Sequence, residues 1–110
     1  MKKLYFNLIN SINGIRFALK EHSFIIELIG GIILIAYLIF FEFSLIFKTM
    51  IIIVYLLLLA FEIMNTSIEK LCDKITKKKD RDIKIIKDLA SASVFIVLII
   101  LISLIILSIF

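Results

Sequence analysis

Three long apolar runs dominate this sequence of 110 residues, at about residues 24–41, 44–64 and 89–110. Each run is long enough to cross a bilayer as one helix, because a hydrocarbon core of about 30 Å needs roughly 20 apolar residues. A short soluble chain buries only a limited share of its surface and cannot hide a composition that is 63% hydrophobic. The sequence therefore predicts an all-α membrane protein with three transmembrane helices. With no proline and only three glycines to mark a linker, residues 1–110 are expected to form a single domain.

The segment before the first run predicts a helix of another kind. Its apolar residues recur at helical spacing: Leu4, Leu8, Ile12, Ile15 and Leu19. Polar residues, among them Asn7, Asn10 and Ser11, share the opposite side. An amphipathic helix flanked by lysines lies in the membrane interface and does not cross it. We expect an N-terminal amphipathic surface helix, for which a simple membrane anchor is the alternative function.

Basic residues are concentrated on one side of the predicted membrane. They cluster near the N-terminus and again between residues 70 and 87, whereas residues 42–48 carry no net charge. Loops rich in Lys and Arg stay in the cytoplasm. We therefore expect the N-terminus and the loop 76–86 in the cytoplasm and Phe110 on the opposite side. The stretch 77–82 is either a solvated loop that only sets the topology or a site for nucleotide phosphates.

A line of polar side chains continues beyond the second apolar run. No proline or glycine interrupts residues 61–73, so one helix can carry the whole segment. At 100° per residue, the polar residues that follow Glu62 lie at about 300°, 340° and 20° from it, which makes one stripe: Asn65, Glu69 and Asp73. An ionisable group inside hydrocarbon costs roughly 3 kcal/mol on insertion scales. Such a stripe therefore indicates that cations, water or polar partners meet it.

The acids of this region differ in depth, and depth suggests their roles. Glu27 and Glu69 both lie at the cytoplasmic ends of their spans, so we expect them to bind Mg²⁺, which takes one or two carboxylates together with phosphate and water. Glu62 lies about two helical turns deeper, where it can act as general base toward a lipid alcohol. Lys87, at the start of the third span, either holds a phosphate or merely extends to the interface.

Acids, an amide and a lysine at one membrane face indicate phosphoryl transfer, which depends on positioning and charge neutralisation. No Walker-type glycine loop and no protein kinase signature is present, so any nucleotide is bound in an unrelated way. The rival from another class is a small ion-conducting or assembly subunit, because buried carboxylates also form proton relays. The acids gather at one boundary and leave the centres of the first and third spans apolar, which disfavours a relay. No nucleic-acid partner is expected.

These motifs resemble those of the small bacterial diacylglycerol kinase and undecaprenol kinase family. The central family signature, Glu-x-x-Asn-[Ser/Thr]-x-Ile-Glu with a nearby Asp, is matched by residues 62–69 and Asp73. A second family element, Lys-Asp followed by small residues, is matched by residues 87–94. Three further residues match the N-terminal part of the family pattern: Gly14, Arg16 and Glu27. The resemblance covers essentially the entire chain.

The resemblance implies a role for each matched residue. It implies Glu62 as general base, and Glu69 and Glu27 as ligands of Mg²⁺. It implies ATP contacts from several segments: Lys3, Asn10, Asn65, Lys78, Lys79, Asp80, Lys87 and Asp88. It places Arg16 and Ser91, with Glu62, at the lipid substrate. It also implies a homotrimer in the bacterial cytoplasmic (inner) membrane, with active sites where neighbouring subunits meet.

The same resemblance leaves two acceptors open. Glu27 favours the diacylglycerol branch, because relatives specific for undecaprenol often carry a different residue there, whereas Asn65-Thr66 is similar to those relatives. The loop before Lys87 lacks the usual family Gly, and Ala90 stands where Gly is common, which affects the grip on the nucleotide. We expect ATP-dependent phosphorylation of diacylglycerol to phosphatidic acid, with undecaprenol as the alternative acceptor.

Overall fold

The computed structural model describes residues 1–110 as four helices and no strands. The helices are α1 (Lys2–Ala18), α2 (His22–Phe40), α3 (Leu45–Ile75) and α4 (Arg81–Ile109). Helices α2, α3 and α4 are each long and apolar enough to cross a membrane. The predicted all-α fold with three spans and an N-terminal helix is therefore confirmed.

Helix α3 continues well beyond the apolar run that begins it. Its first turn is capped by Ser44, whose hydroxyl accepts a hydrogen bond of 3.3 Å from the amide of Phe47. The helix then runs for 31 residues and ends at Ile75. The whole polar stripe consequently lies on one continuous helix, as the absence of proline and glycine predicts.

Helix α4 begins earlier than the third apolar run. The side chain of Asp80 accepts hydrogen bonds from the amides of Asp82 and Ile83, at 2.9 and 3.1 Å, and so caps the helix before its apolar part. The two extra turns bring Lys84, Lys87 and the neighbouring Asp88 onto the helix. The apolar span predicted from about residue 89 is therefore the later part of a longer helix, whose charged first turns come before it.

The core lies between α3 and α4, which make the most extensive contact in the chain, and α2 packs on α3 over a smaller area. Six buried side chains form it: Leu38, Ile51, Leu58, Val97, Leu101 and Leu104. Only 13 of 110 residues are buried, and large apolar side chains face outward along all the helices. Such a surface is stable in lipid or against other subunits, and not in water.

Helix α1 is the element with the fewest ties to the rest of the chain. It buries only Ala18, and the apolar residues Leu4, Leu8 and Ile12 are exposed. An exposed apolar face on a helix of this length is suited to insertion among lipid headgroups and acyl chains. The structure thus contains the predicted N-terminal helix in a form that fits a surface helix.

Aromatic side chains close the turn between α2 and α3. The ring of Tyr37 lies 5.1 Å from that of Phe41 and 5.0 Å from that of Phe43, measured between centroids. Aromatic residues are enriched at membrane–water interfaces. This cluster fixes the α2–α3 turn at the end of the bundle opposite to the polar stripe.

Candidate active site

Glu62 is the buried acid around which the site is built. Its side chain lies in α3, and the residue is only 7% exposed. The hydroxyl of Ser23, in the first turn of α2, donates a hydrogen bond of 2.8 Å to the Oε1 atom of Glu62. One carboxylate oxygen is therefore held by a neighbouring helix.

Glu27 lies one helical turn after Ser23 and brings a second carboxyl group to Glu62. The two carboxyl groups are close enough to interact with each other, and the Oε2 atom of Glu27 is buried without a hydrogen-bond partner. The hydroxyl of Tyr55 donates a hydrogen bond of 2.9 Å to the backbone carbonyl of Glu27. Two carboxylates side by side repel each other, so a cation or a proton between them is favourable.

Asn65 and Glu69 form the next layer of the stripe toward the membrane surface. The Nδ2 atom of Asn65 donates a hydrogen bond of 3.1 Å to Oε1 of Glu69. The buried Oδ1 atom of Asn65 has no partner. The predicted stripe is thus present, with its amide oriented by one carboxylate and its carbonyl oxygen left open.

The donor set fits the Mg²⁺ expected from the sequence. The two buried polar atoms without partners, on Glu27 and Asn65, are both oxygens, and hard oxygen donors are the ligands that Mg²⁺ prefers. No three Asp, Glu, His or Cys side chains converge as a complete metal site. Because Mg²⁺ takes only one or two carboxylates and completes its shell with phosphate and water, such a partial set is suitable. In the structure Glu27 lies beside Glu62, and Glu69 accepts a hydrogen bond from Asn65. That Glu27 and Glu69 bind the same Mg²⁺ ion stays a prediction.

One ion pair joins the charged ends of α3 and α4, and a second lies within the first turns of α4. The Nζ atom of Lys87 lies 2.6 Å from Oδ1 of Asp73, and the Nζ atom of Lys84 lies 2.7 Å from Oδ2 of Asp88. The side chains of Lys87 and Asp73 are 36% and 54% exposed. Exposed ion pairs contribute little to stability, so an anionic ligand can replace Asp73 as the partner of Lys87 at small expense.

A basic recess lies beside these ion pairs, at the loop between α3 and α4. It has a volume of about 550 Å³. Six cationic side chains line it together with Asp80 and Ile83: Lys77, Lys78, Lys79, Arg81, Lys84 and Lys87. A concave surface of one charge sign attracts polyphosphates. Lys78, Lys79 and Lys87 of the predicted ATP contacts meet here, while the side chain of Asp80 is used to cap α4.

The other predicted site residues remain separate within one chain. Lys3, Asn10 and Arg16 are exposed on α1, and their side chains make no hydrogen bond or ion pair. Ser91 is exposed on α4. The fold therefore brings Glu27 of α2 to Glu62 of α3, and Lys87 of α4 to Asp73 of α3, but does not bring the α1 residues to either pair.

Sequence reasoning missed two participants, Ser23 and Glu21. Ser23 binds the deep acid, and Glu21, just before α2, forms an ion pair of 2.8 Å with Lys70, the residue after Glu69. The spacing of four residues between Ser23 and Glu27 was a usable signal, because it places both on one face of a helix. Glu21 was visible as one more acid at the start of the first span.

Comparison with known protein families gives a match over nearly the whole chain. The family model described as prokaryotic diacylglycerol kinase matches residues 9–110, which include every helix of the core, the carboxylates and the basic recess. No curated protein matches the chain.

Proposed function

The chain belongs to the prokaryotic diacylglycerol kinase family, and we propose that it transfers the γ-phosphate of ATP to the hydroxyl group of diacylglycerol, which yields phosphatidic acid. The observation that carries this proposal is the state of Glu62: a carboxylate 7% exposed within an apolar helix, held by Ser23 through one oxygen only. An acid at this depth is suited to a substrate that stays in the bilayer.

In the proposed reaction, Glu62 acts as the general base. Its free oxygen accepts the proton of the lipid hydroxyl while the hydroxyl oxygen bonds to the γ-phosphorus of ATP. The bond between that phosphorus and the β,γ-bridging oxygen breaks, and ADP leaves with the electron pair. Ser23 keeps the carboxylate in one orientation during the transfer, because its hydroxyl bonds to Oε1.

Glu69 and Glu27 are the proposed ligands of Mg²⁺, and the open Oδ1 atom of Asn65 is a further oxygen donor at the same layer. When bound, the ion neutralises charge on the transferred phosphate. The chain's own part is to hold these oxygens. The hydrogen bond from Asn65 fixes the carboxylate of Glu69, so less conformational freedom is lost on binding.

The basic recess is the proposed site of the ATP phosphates. Lys78, Lys79 and Lys87 supply positive charge there. Lys87 exchanges its ion pair with Asp73 for a phosphate oxygen, and Asp88 contributes a polar contact next to it. Two positions on the surface helix, Lys3 and Asn10, complete the proposed set of ATP contacts.

We propose that the working unit is a homotrimer in the bacterial inner membrane, with the N-terminus and the loop 76–86 in the cytoplasm. Two features support association. The α1 residues of the proposed site have no partner within their own chain, and outward-facing apolar side chains cover most of the surface. Arg16 and Ser91, proposed at the lipid substrate, then meet Glu62 across a boundary between subunits.

Undecaprenol is the second candidate acceptor, because Asn65-Thr66 is similar to relatives that use it. Both acceptors present a hydroxyl group at the membrane surface and keep their chains in the hydrocarbon, so the same carboxylate serves either. An ion-conducting subunit is the remaining alternative. It is disfavoured because α2 beyond Glu27 and α4 beyond Asp88 carry no ionisable side chain as far as Ile39 and Ile109, apart from Tyr37.

The test is phosphorylation by the purified protein in mixed micelles. Diacylglycerol and undecaprenol are supplied separately with radiolabelled ATP and Mg²⁺, and the labelled lipid is counted. We expect label in phosphatidic acid that depends on both lipid and protein, and at least about 100-fold less with the Glu62→Gln variant. Label in undecaprenyl phosphate alone would change the acceptor, whereas no label with either alcohol, combined with ion flux in liposomes, would contradict the kinase assignment.

A further inference from the structure

Helices α2 and α3 are in close contact at Gly31 and Tyr55. Gly31 is buried, and a Cβ atom placed on it would overlap the hydroxyl and ring of Tyr55. The neighbouring Gly30 faces open space, with no atom within 4 Å of a Cβ placed there. The aromatic ring therefore occupies the space that a side chain at position 31 would need.

This notch gives Tyr55 access to the backbone of α2. In an α-helix, the carbonyl of residue 27 points at the amide of residue 31, so a side chain on residue 31 lies beside that carbonyl. With glycine there, the hydroxyl of Tyr55 reaches the carbonyl of Glu27 and donates a hydrogen bond of 2.9 Å. The bond thus depends on the missing side chain of Gly31.

Tyr55 and Glu62 lie on the same face of α3. Seven residues separate them, which is within about 20° of two full turns and about 10 Å along the helix axis. Two hydrogen bonds join α2 to α3, one from Ser23 to Glu62 and one from Tyr55 to Glu27. The first bond holds the side chain of Glu62, and the second holds the backbone of Glu27.

We propose that Tyr55, seated in the Gly31 notch, is a positioning residue for the pair formed by Glu27 and Glu62. By holding the Glu27 carbonyl it fixes the height and rotation of α2 against α3, and with them the direction in which the Glu27 carboxyl group points. The contact between α2 and α3 is otherwise small, so few other interactions oppose a slide or a rotation. The effect on turnover rests on the proposed function.

The first test measures the effect of Tyr55→Phe on turnover, both in the wild-type protein and in the Glu27→Gln variant. Tyr55→Phe keeps the ring and removes the donor, and a single buried hydrogen bond corresponds to about a 3–10-fold change. We expect kcat to fall by that factor with an unchanged KM for ATP. In the Glu27→Gln background the same substitution changes kcat by less than about 2-fold, because it acts through Glu27. Equal factors in both backgrounds, or no effect in either, would overturn the positioning role.

The second test measures the contact without any kinase assay. Gly31→Ala forces Tyr55 from its place and lowers the midpoint of thermal unfolding in detergent, whereas the matched Gly30→Ala has no such effect. In a Tyr55→Leu background, Gly31→Ala no longer lowers the midpoint further, since the clash is gone. Equal effects of the two alanine variants would overturn the inferred contact. A wild-type protein inactive toward every lipid alcohol would instead overturn the proposed function and the effect on turnover, and the unfolding data would still report on the notch.

Discussion

The hydroxyl of Ser23 donates a hydrogen bond of 2.8 Å to the carboxylate of Glu62, which ties the first turn of α2 to the deepest acid of α3. The two residues are 39 positions apart in the sequence, and Glu62 is the first residue of the polar stripe. Glu62 is therefore not a free carboxylate that rotates in a pocket. Its orientation is set by the packing of α2 on α3.

Replacing Glu62 with Gln tests its role as base. The variant keeps the shape and the acceptor for Ser23 but cannot take a proton, so turnover should fall by about 10²–10⁴-fold, the usual contribution of general-base catalysis. The KM for ATP should change little. Steady-state rates in mixed micelles measure both quantities, and size-exclusion chromatography serves as the control for assembly. Near-normal turnover would move the base assignment to Glu69 or Asp73.

Removing the Ser23 hydroxyl tests the orientation of Glu62. Ser23→Ala leaves Oε1 of Glu62 without its donor, and we expect turnover to fall by about 2–10-fold, the value of one hydrogen bond. Ser103→Ala is the matched control, because the Ser103 hydroxyl bonds only to the carbonyl of Ile99 in its own helix. The idea fails if initial rates of the two variants are the same.

Neutralising single carboxylates tests the metal site. Glu69→Gln and Glu27→Gln each remove a charged oxygen ligand, so each should raise the Mg²⁺ concentration needed for half-maximal rate by about 10-fold or more. Glu21→Gln is the comparison, since Glu21 lies at the same boundary and forms an ion pair with Lys70. Magnesium titrations of the three variants decide the matter. If the titration of Glu27→Gln is normal and that of Glu21→Gln is shifted, Glu21 and not Glu27 is the second ligand of Mg²⁺ beside Glu69.

Replacing Lys87 tests the proposed site of the ATP phosphates. Lys87→Gln should raise the KM for ATP by about 10–150-fold, because a charged hydrogen bond of about 1.5–3 kcal/mol is lost. Asp73→Asn should act in the opposite direction, since it frees Lys87 from its ion pair. Lys48→Gln, at the far end of α3, controls for net charge. A KM raised equally by Lys87→Gln and Lys48→Gln would contradict a specific contact.

The topology is tested with fused reporters. The excess of basic residues predicts that a reporter placed after Lys79 lies in the cytoplasm and that one after Phe110 lies on the opposite side. Alkaline phosphatase and a fluorescent protein, which are active on opposite sides, give complementary readings. A cytoplasmic C-terminus would rule out three crossings.

The helices and the polar stripe could be predicted from the sequence because both depend on local spacing. Apolar runs of sufficient length give the spans, and rotation by 100° per residue brings Glu62, Asn65 and Glu69 onto one face whatever surrounds the helix. The start of α4 could also have been predicted from the sequence. Asp80 followed by Asp82 is a recognisable helix start, but the charged residues after it resemble a loop when only hydropathy is considered.

The contacts between helices could not be predicted in the same way. Spans made mainly of Ile and Leu offer many registers of similar packing, so the partners of Ser23 and Tyr55 depend on how α2 settles on α3. Gly31 is informative only when the residue opposite it is known, since Gly30 beside it looks identical in the sequence. Local spacing predicts even less about which residues bind ligands or contact other subunits, because these roles depend on molecules outside this chain.

If Glu62 acts as proposed, its depth determines which measure of acceptor concentration sets the rate. An acceptor that meets a carboxylate within the bilayer is supplied by diffusion in two dimensions. The fraction of sites that it occupies therefore depends on its mole fraction among the surrounding lipids, and not on its bulk concentration. In the proposed reaction, ATP reaches the basic recess from water and follows ordinary molarity. Adding inert detergent or lipid at constant total acceptor should therefore slow the reaction by surface dilution while leaving saturation by the nucleotide unchanged.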